Sequence, residues 1–210
     1  ASSVEVGALN DSEGWRPLKD GSQTFVGYTS LEVETAVLKW KAMECGVGLV
    51  LEKNPFYFES GGQVSDTGVV RGNDWSIAVD RVAKTPIGTA LFGQVDGVFP
   101  EETDDLQVTA LVAADVRFDT TRNHTATHLL HAALRSHLGG HVVQRGSLVA
   151  PDRLRFDFAH TAPMTEREKG EVERFVNEAF WKNHPVEIAE RRYDDAVEDG
   201  AMALFGEKYA

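Results

Sequence analysis

Two histidines four residues apart, His124 and His128, sit in the run Arg122-Asn123-His124-Thr125-Ala126-Thr127-His128. On a helix this spacing projects both rings from one face. Two imidazole nitrogens so placed can share a metal ion. His131 follows one turn further along a similar face. The competing assignment is a pair of ordinary surface or core histidines, and a bare four-residue spacing does not separate the two. Zinc proteases of the helical type place a Glu directly after the first His to activate water. Thr125 occupies that position here, which excludes their reaction. A metal at this pair would position or polarise a substrate.

Two further segments carry residues suited to chemistry. The run Phe56-Tyr57-Phe58-Glu59-Ser60-Gly61-Gly62-Gln63-Val64-Ser65-Asp66-Thr67-Gly68 sets two glycines before a glutamine. Such glycines let the backbone approach another group closely, or form a tight turn between strands. The run is not a P-loop, because no Gly-Lys-Ser/Thr follows, and it lacks the G-x-G-x-x-G of a dinucleotide site. The other segment is Gln144-Arg145-Gly146-Ser147-Leu148-Val149, followed by Leu154 to His160. It reads as two strands that present Gln144 and Arg145 toward the histidine helix, or as a half-buried hairpin with exposed polar residues. Cys45 lies outside all of these segments and reads as a small, buried, inert thiol.

These residues need elements to hold them. Residues 1–22 are rich in Ser, Gly, Asp and Glu and read as a lead-in. From 23 to about 115, short β-rich runs alternate with turn signals: Phe25–Tyr28, Val33–Leu38, Val47–Glu52, Ser76–Val82, Ala90–Val95 and Gln107–Val112. That spacing predicts a compact sheet or small barrel. From about 116 to 210 the pattern changes. Thr121 to Leu138 has helical spacing of Leu130, Ala133, Leu134 and Leu138, and Gly139-Gly140 should end it. Val142–Val149 and Leu154–Phe158 read as strands joined at Pro151-Asp152. Thr165 and Glu168 have capping-box spacing ahead of an apolar face of Val172, Phe175, Val176, Ala179 and Phe180. Val186–Arg191 reads as a strand and Tyr193–Ala203 as a short helix. The fold class expected is α+β, with a small barrel-like β-rich unit followed by helices packed on a sheet.

Composition bounds the rest. The chain has 210 residues, 42% apolar and 26% charged, enough to bury a core without covalent staples. One cysteine excludes an internal disulfide and a Cys-rich zinc cluster, and suits a reducing, cytoplasmic setting. Apolar runs such as Val47–Leu51 fall far short of a membrane span, and no signal peptide is visible. The net charge of −12 argues against a protein that coats nucleic acid. Yet between Val116 and His160 there are six Arg (117, 122, 135, 145, 153 and 155) against three Asp, a local balance of +3. That segment is either an anion-binding site or a set of ordinary ion pairs.

Taken in order, FVGY at 25–28, PFYFESGGQVSDTG at 55–68, RNHTATHLLHAALRSHLGGHVVQRGSLVAPDRLRFDFAH at 122–160 and GAMALFGEKY at 200–209 resemble the editing domains of alanyl-tRNA synthetases and their free-standing trans-editing relatives. The resemblance runs from about Phe25 to Tyr209. It implies an editing core within 116–210 and hydrolysis of the ester of seryl- or glycyl-tRNA(Ala). A synthetic pocket shaped for alanine cannot reject glycine or serine strongly, so a second hydrolytic site must supply the discrimination.

Carried onto this chain, the resemblance makes His124 and His128 two ligands of a zinc ion, Thr127 the hydroxyl that meets the serine side chain, and Gln144 a lining residue of the same pocket. Gly61, Gly62 and Gln63 match the family's glycine-rich loop, and the charge of Arg145 suits a phosphate of the tRNA 3′ end. The family completes its zinc site with a Cys-x-x-x-His sequence downstream of GEKY, which is not reached before Ala210. The expectation is therefore an excised fragment that holds zinc weakly or not at all. Its partners would be the aminoacylation and C-terminal domains of a parent chain, with no membrane. The alternatives are a free-standing deacylase, a non-catalytic tRNA-binding or interdomain module, and an unrelated metal hydrolase.

Overall fold

The computed structural model describes residues 13–101, 105–185, 189 and 191–200. Two compact units divide the chain: residues 1–124 with 147–154, and residues 125–146 with 155–210.

The first unit is built on a closed barrel. Its strands are β1 (Arg16–Pro17), β2 (Thr24–Phe25), β3 (Glu32–Met43), β4 (Gly46–Leu51), β5 (Lys53–Asn54), β6 (Gly68–Arg71), β7 (Trp75–Thr85), β8 (Gly88–Gly97) and β9 (Gln107–Val112). Neighbours run β3-β4-β8-β7-β6-β9, and β9 pairs back onto β3, so six antiparallel strands close on themselves. Closure depends on the length of β3. Glu32–Ala36 pair with β9, whereas Val37–Met43 pair with β4, and the register shifts between Val37 and Lys39. A second shift lies between Val79 and Arg81 in β7. Such irregularities bend strands and let a sheet curl.

Alternation along the strands fills the interior. In β9, Val108, Ala110 and Val112 are buried while Gln107 is exposed. Val37, Trp40, Leu49, Leu51, Val70, Ile77, Val82 and Leu91 complete the core. Truncating a fully buried aromatic such as Trp40 to Ala costs about 3–5 kcal/mol. The lead-in expected over residues 1–22 contains structure where it is described: β1 adds to β3, and Trp15 packs edge-on against Phe92.

The predicted strand at Phe25–Tyr28 is only two residues long, because the chain turns at Gly27–Thr29. The predicted strands at Val33–Leu38, Val47–Glu52, Ser76–Val82 and Ala90–Val95 are present, extended or shifted by a few residues, and Gln107–Val112 is found as expected. Cys45 is a correction. It is exposed, because it sits in the turn joining β3 to β4, where no core is available to bury it.

Helix α1 (Ala114–Leu138) starts seven residues before the predicted Thr121. Its early buried positions are Arg117 and Thr120, so no apolar stripe marks them in the sequence. Gly139, with φ 112°, ends it as expected.

In the second unit, Ala133, Leu134, Val142 and Val172 form a small core with Leu130, Phe156, Phe158, Phe175 and Val176 around it. Strands β10 (Gln144–Val149) and β11 (Leu154–Phe158) form a two-stranded sheet. Helix α2 (Glu166–Lys182) opens with the expected capping box: Glu168 N–H donates to Thr165, and the Glu168 carboxylate accepts from the Thr165 backbone. Its apolar face is only partly used, since Phe180 is exposed. Helix α3 (Tyr193–Glu198) matches the start of the predicted short helix. The predicted strand at Val186–Arg191 and the GAMALFGEKY segment lie almost wholly outside the described residues. No helix among the described residues is long and apolar enough to cross a membrane.

Candidate functional site

In the first unit, Gly61 and Gly62 form the two-residue tip of a tight hairpin. The Ser60 and Gln63 backbones exchange both hydrogen bonds, at 3.2 and 3.0 Å. Gly61 and Gly62 both have positive φ, 63° and 85°, the geometry of a turn with two left-handed residues. A Cβ on Gly62 would collide with Ser147, whereas one on Gly61 would meet nothing. One glycine thus serves conformation alone, and the other also serves a close approach.

The turn delivers Gln63. Its backbone is braced on both sides, since Val149 N–H donates to Gly62 O at 2.7 Å and Val64 N–H donates to Val149 O at 3.0 Å. Gln63 is 5% exposed, and its side-chain Oε1 lies 2.6 Å from His124 Nδ1. The glycine loop and the first motif histidine, 61 positions apart, therefore meet directly.

The same segment is tied down by an ion pair absent from the sequence-based expectations. Arg117 is buried on α1; its Nε donates to Asp66 Oδ1 at 2.8 Å, and its Nη2 reaches Asp66 Oδ2. Nη1 donates to Gly27 O at 2.8 Å and Nη2 to Pro55 O at 3.0 Å. Tyr57 N–H donates to Asp66 Oδ2 at 2.7 Å. One guanidinium thus fastens the FVGY, PFYF and SDTG stretches together. Asn123 acts similarly on the hairpin turn, donating to Ala150 O at 2.7 Å and Pro151 O at 3.2 Å. Neither role is visible in sequence, where Arg117 counts only as positive charge.

In the second unit, Thr127 is 5% exposed and His131 4% exposed, whereas His128 is exposed and Gln144 half-buried. Around the motif, α1 thus buries Thr127 and His131 and exposes His128. His131 packs on Phe156, ring centroids 5.1 Å apart, and its Nε2 is buried with no hydrogen-bond partner among the described residues. Burial lowers its pKa, and the Arg135 charge adds to the effect.

The six arginines resolve mostly into ion pairs and internal bonds. Arg117 holds Asp66, Arg122 Asp119, Arg153 Asp152 and Arg155 Asp157, while Arg135 donates to Val142 O. Arg145 is exposed and has no ion-pair partner among the described residues. Four of the six arginines are thus paired with carboxylates and a fifth donates to a carbonyl. Two surface cavities of the first unit, about 370 and 510 Å³, are lined by none of the candidate residues. No group of three or more His, Cys, Asp or Glu poised for a metal occurs among the described residues.

No family model matches the chain. It is 47% identical over 207 residues to the alanine–tRNA ligase of Staphylococcus aureus strain JH9, covering 90% of this chain and 22% of that protein. The alanine–tRNA ligases of strains Mu50 and N315 give the same identity and coverage. The chain spans about a fifth of the length of these curated relatives, and its similarity is to that share of an alanyl-tRNA synthetase, with which a fragment of such an enzyme is consistent.

Proposed function

We propose that this chain is the editing part of an alanyl-tRNA synthetase, hydrolysing the ester of seryl- or glycyl-tRNA(Ala). The observation that carries the reading is the match to alanine–tRNA ligases over 90% of the chain. The 2.6 Å contact of Gln63 with His124 supports it, because it unites two motifs that sequence could only set side by side.

In this reading the Thr127 hydroxyl and Gln144 amide orient the aminoacyl group. Arg145 meets a phosphate of the tRNA 3′ end, its exposure suiting that role. Gly61 and Gly62 shape the loop that carries Gln63. Hydrolysis is attack of water on the ester carbonyl, with developing negative charge met by fixed donors and the rate drawn largely from placement. Imidazoles suit zinc, and His124 and His128, one helical turn apart, would provide two of the usual four ligands. When bound, zinc would polarise and position the ester terminus. The remaining ligands would come from outside the described residues or from water.

The absence of a third metal donor among the described residues favours a second reading, a tRNA-binding module without catalysis. The deciding experiment compares hydrolysis of seryl-tRNA(Ala) and alanyl-tRNA(Ala), with zinc added, by this chain and by a chain extended to the relatives' length. Serine-selective release by either supports editing. Folded, zinc-loaded protein that binds tRNA and releases nothing supports the binding module.

A further inference from the structure

We infer that Gln63 is a positioning residue that fixes the tautomer of His124. A carboxamide oxygen can only accept a hydrogen bond. At 2.6 Å from Gln63 Oε1, the Nδ1 of His124 must therefore carry its proton. In a neutral imidazole the lone pair then resides on Nε2. An unconstrained imidazole favours the opposite arrangement, with the proton on Nε2. The structure thus holds His124 in its less favoured neutral form and turns Nε2 into the coordinating or accepting nitrogen.

The surrounding geometry is built to hold that oxygen still. Gln63 is 5% exposed, so water competes poorly for its amide. Its backbone is closed on one side by the Ser60 turn and paired on the other with Val149. The turn needs both left-handed glycines, and the close approach at Ser147 needs Gly62 in particular. The Gly61-Gly62-Gln63 motif aims one carbonyl at one imidazole. Its service to a substrate is indirect, through His124. A ligating histidine whose other nitrogen donates to a carbonyl is oriented and made more basic, and losing such a partner costs about 10- to 100-fold in metal affinity. This metal-facing consequence rests on the proposed function, whereas the tautomer assignment does not.

The test uses the chain labelled with ¹⁵N at histidine and long-range ¹H–¹⁵N correlation spectra at neutral pH. His124 is expected to show a protonated Nδ1 and an unprotonated Nε2 in the parent protein and in Gln63→Glu, which keeps an acceptor. Gln63→Leu and Gly62→Ala should both move the proton toward Nε2, with backbone amide spectra confirming that each variant is folded. Titration with zinc ions alone should perturb His124 Nε2, and its midpoint should rise about 10-fold or more in Gln63→Leu. A protonated Nε2 in the parent protein overturns the inference, as does a tautomer unchanged in folded Gln63→Leu. Failure of tRNA hydrolysis with the tautomer intact would count against the editing reading and leave this inference standing.

Discussion

Removing the buried Arg117 guanidinium should strongly destabilise the barrel unit. Arg117→Met keeps the aliphatic stem and deletes the charge. It leaves the Asp66 carboxylate, with side-chain exposure of 4%, buried with the Tyr57 N–H at 2.7 Å but without its cation. It also takes the donors from Gly27 O and Pro55 O. Breaking a buried pair by removing one partner costs about 3–5 kcal/mol. At about 1.4 kcal/mol per factor of ten, the unfolding equilibrium shifts by two to three and a half orders of magnitude. The internal control is Lys19–Glu52, a pair with side chains 44% and 39% exposed, which should contribute less than about 1 kcal/mol. Urea unfolding followed by tryptophan fluorescence suits the measurement, because Trp40 and Trp75 are buried in the barrel core. The double variant Arg117→Met/Asp66→Asn removes both charges yet keeps an acceptor for Tyr57 N–H. It should lose less than the two single variants together, by roughly 0.5–3 kcal/mol. A loss from Arg117→Met no larger than that from Lys19→Met would refute the assignment of a keystone role to this pair.

Three other outcomes are expected. Thr165→Ala should cost about 1 kcal/mol of stability in the second unit, read from the urea midpoint by circular dichroism, because it removes the hydroxyl that accepts from Glu168 N–H. Burial holds the His131 pKa below the ordinary 6.5. The unfolded chain therefore binds a proton that the folded chain refuses, and stability should fall as pH drops below about 6.5. That slope should flatten in His131→Gln; an unchanged slope would assign it to other groups. The Cys45 thiol, exposed in its turn, should react stoichiometrically with a thiol reagent in the native protein, without the lag that opening a core would impose.

The barrel was largely legible in the sequence because its strands are β-branched runs with alternating burial, as in Gln107–Val112. Where the pattern thinned, the reading failed. Strand β6 is four residues long and begins with glycine, so it offers almost no period. The first turns of α1 bury Arg117 and Thr120, residue types that read as surface. Cys45 was misplaced because a thiol's usual burial says nothing about a turn position. At the candidate site, residue types were readable and partnerships were not. Gln63 meets His124 across 61 positions and Asp66 meets Arg117 across 51, distances that no local pattern encodes.

The division into units has a consequence for how such a protein can be inherited. The chain passes between the units three times, after His124, after Gly146 and after Leu154. Each passage falls inside a helix or strand rather than in a loop. A module bounded by a single junction can be shuffled between genes by one recombination event. These two units cannot, since a cut after His124 would strip the barrel unit of Ser147–Leu154. Val149, which braces Gln63, would go with it. A segment that keeps both Gln63 and its brace Val149 therefore also includes residues 125–146 of the other unit.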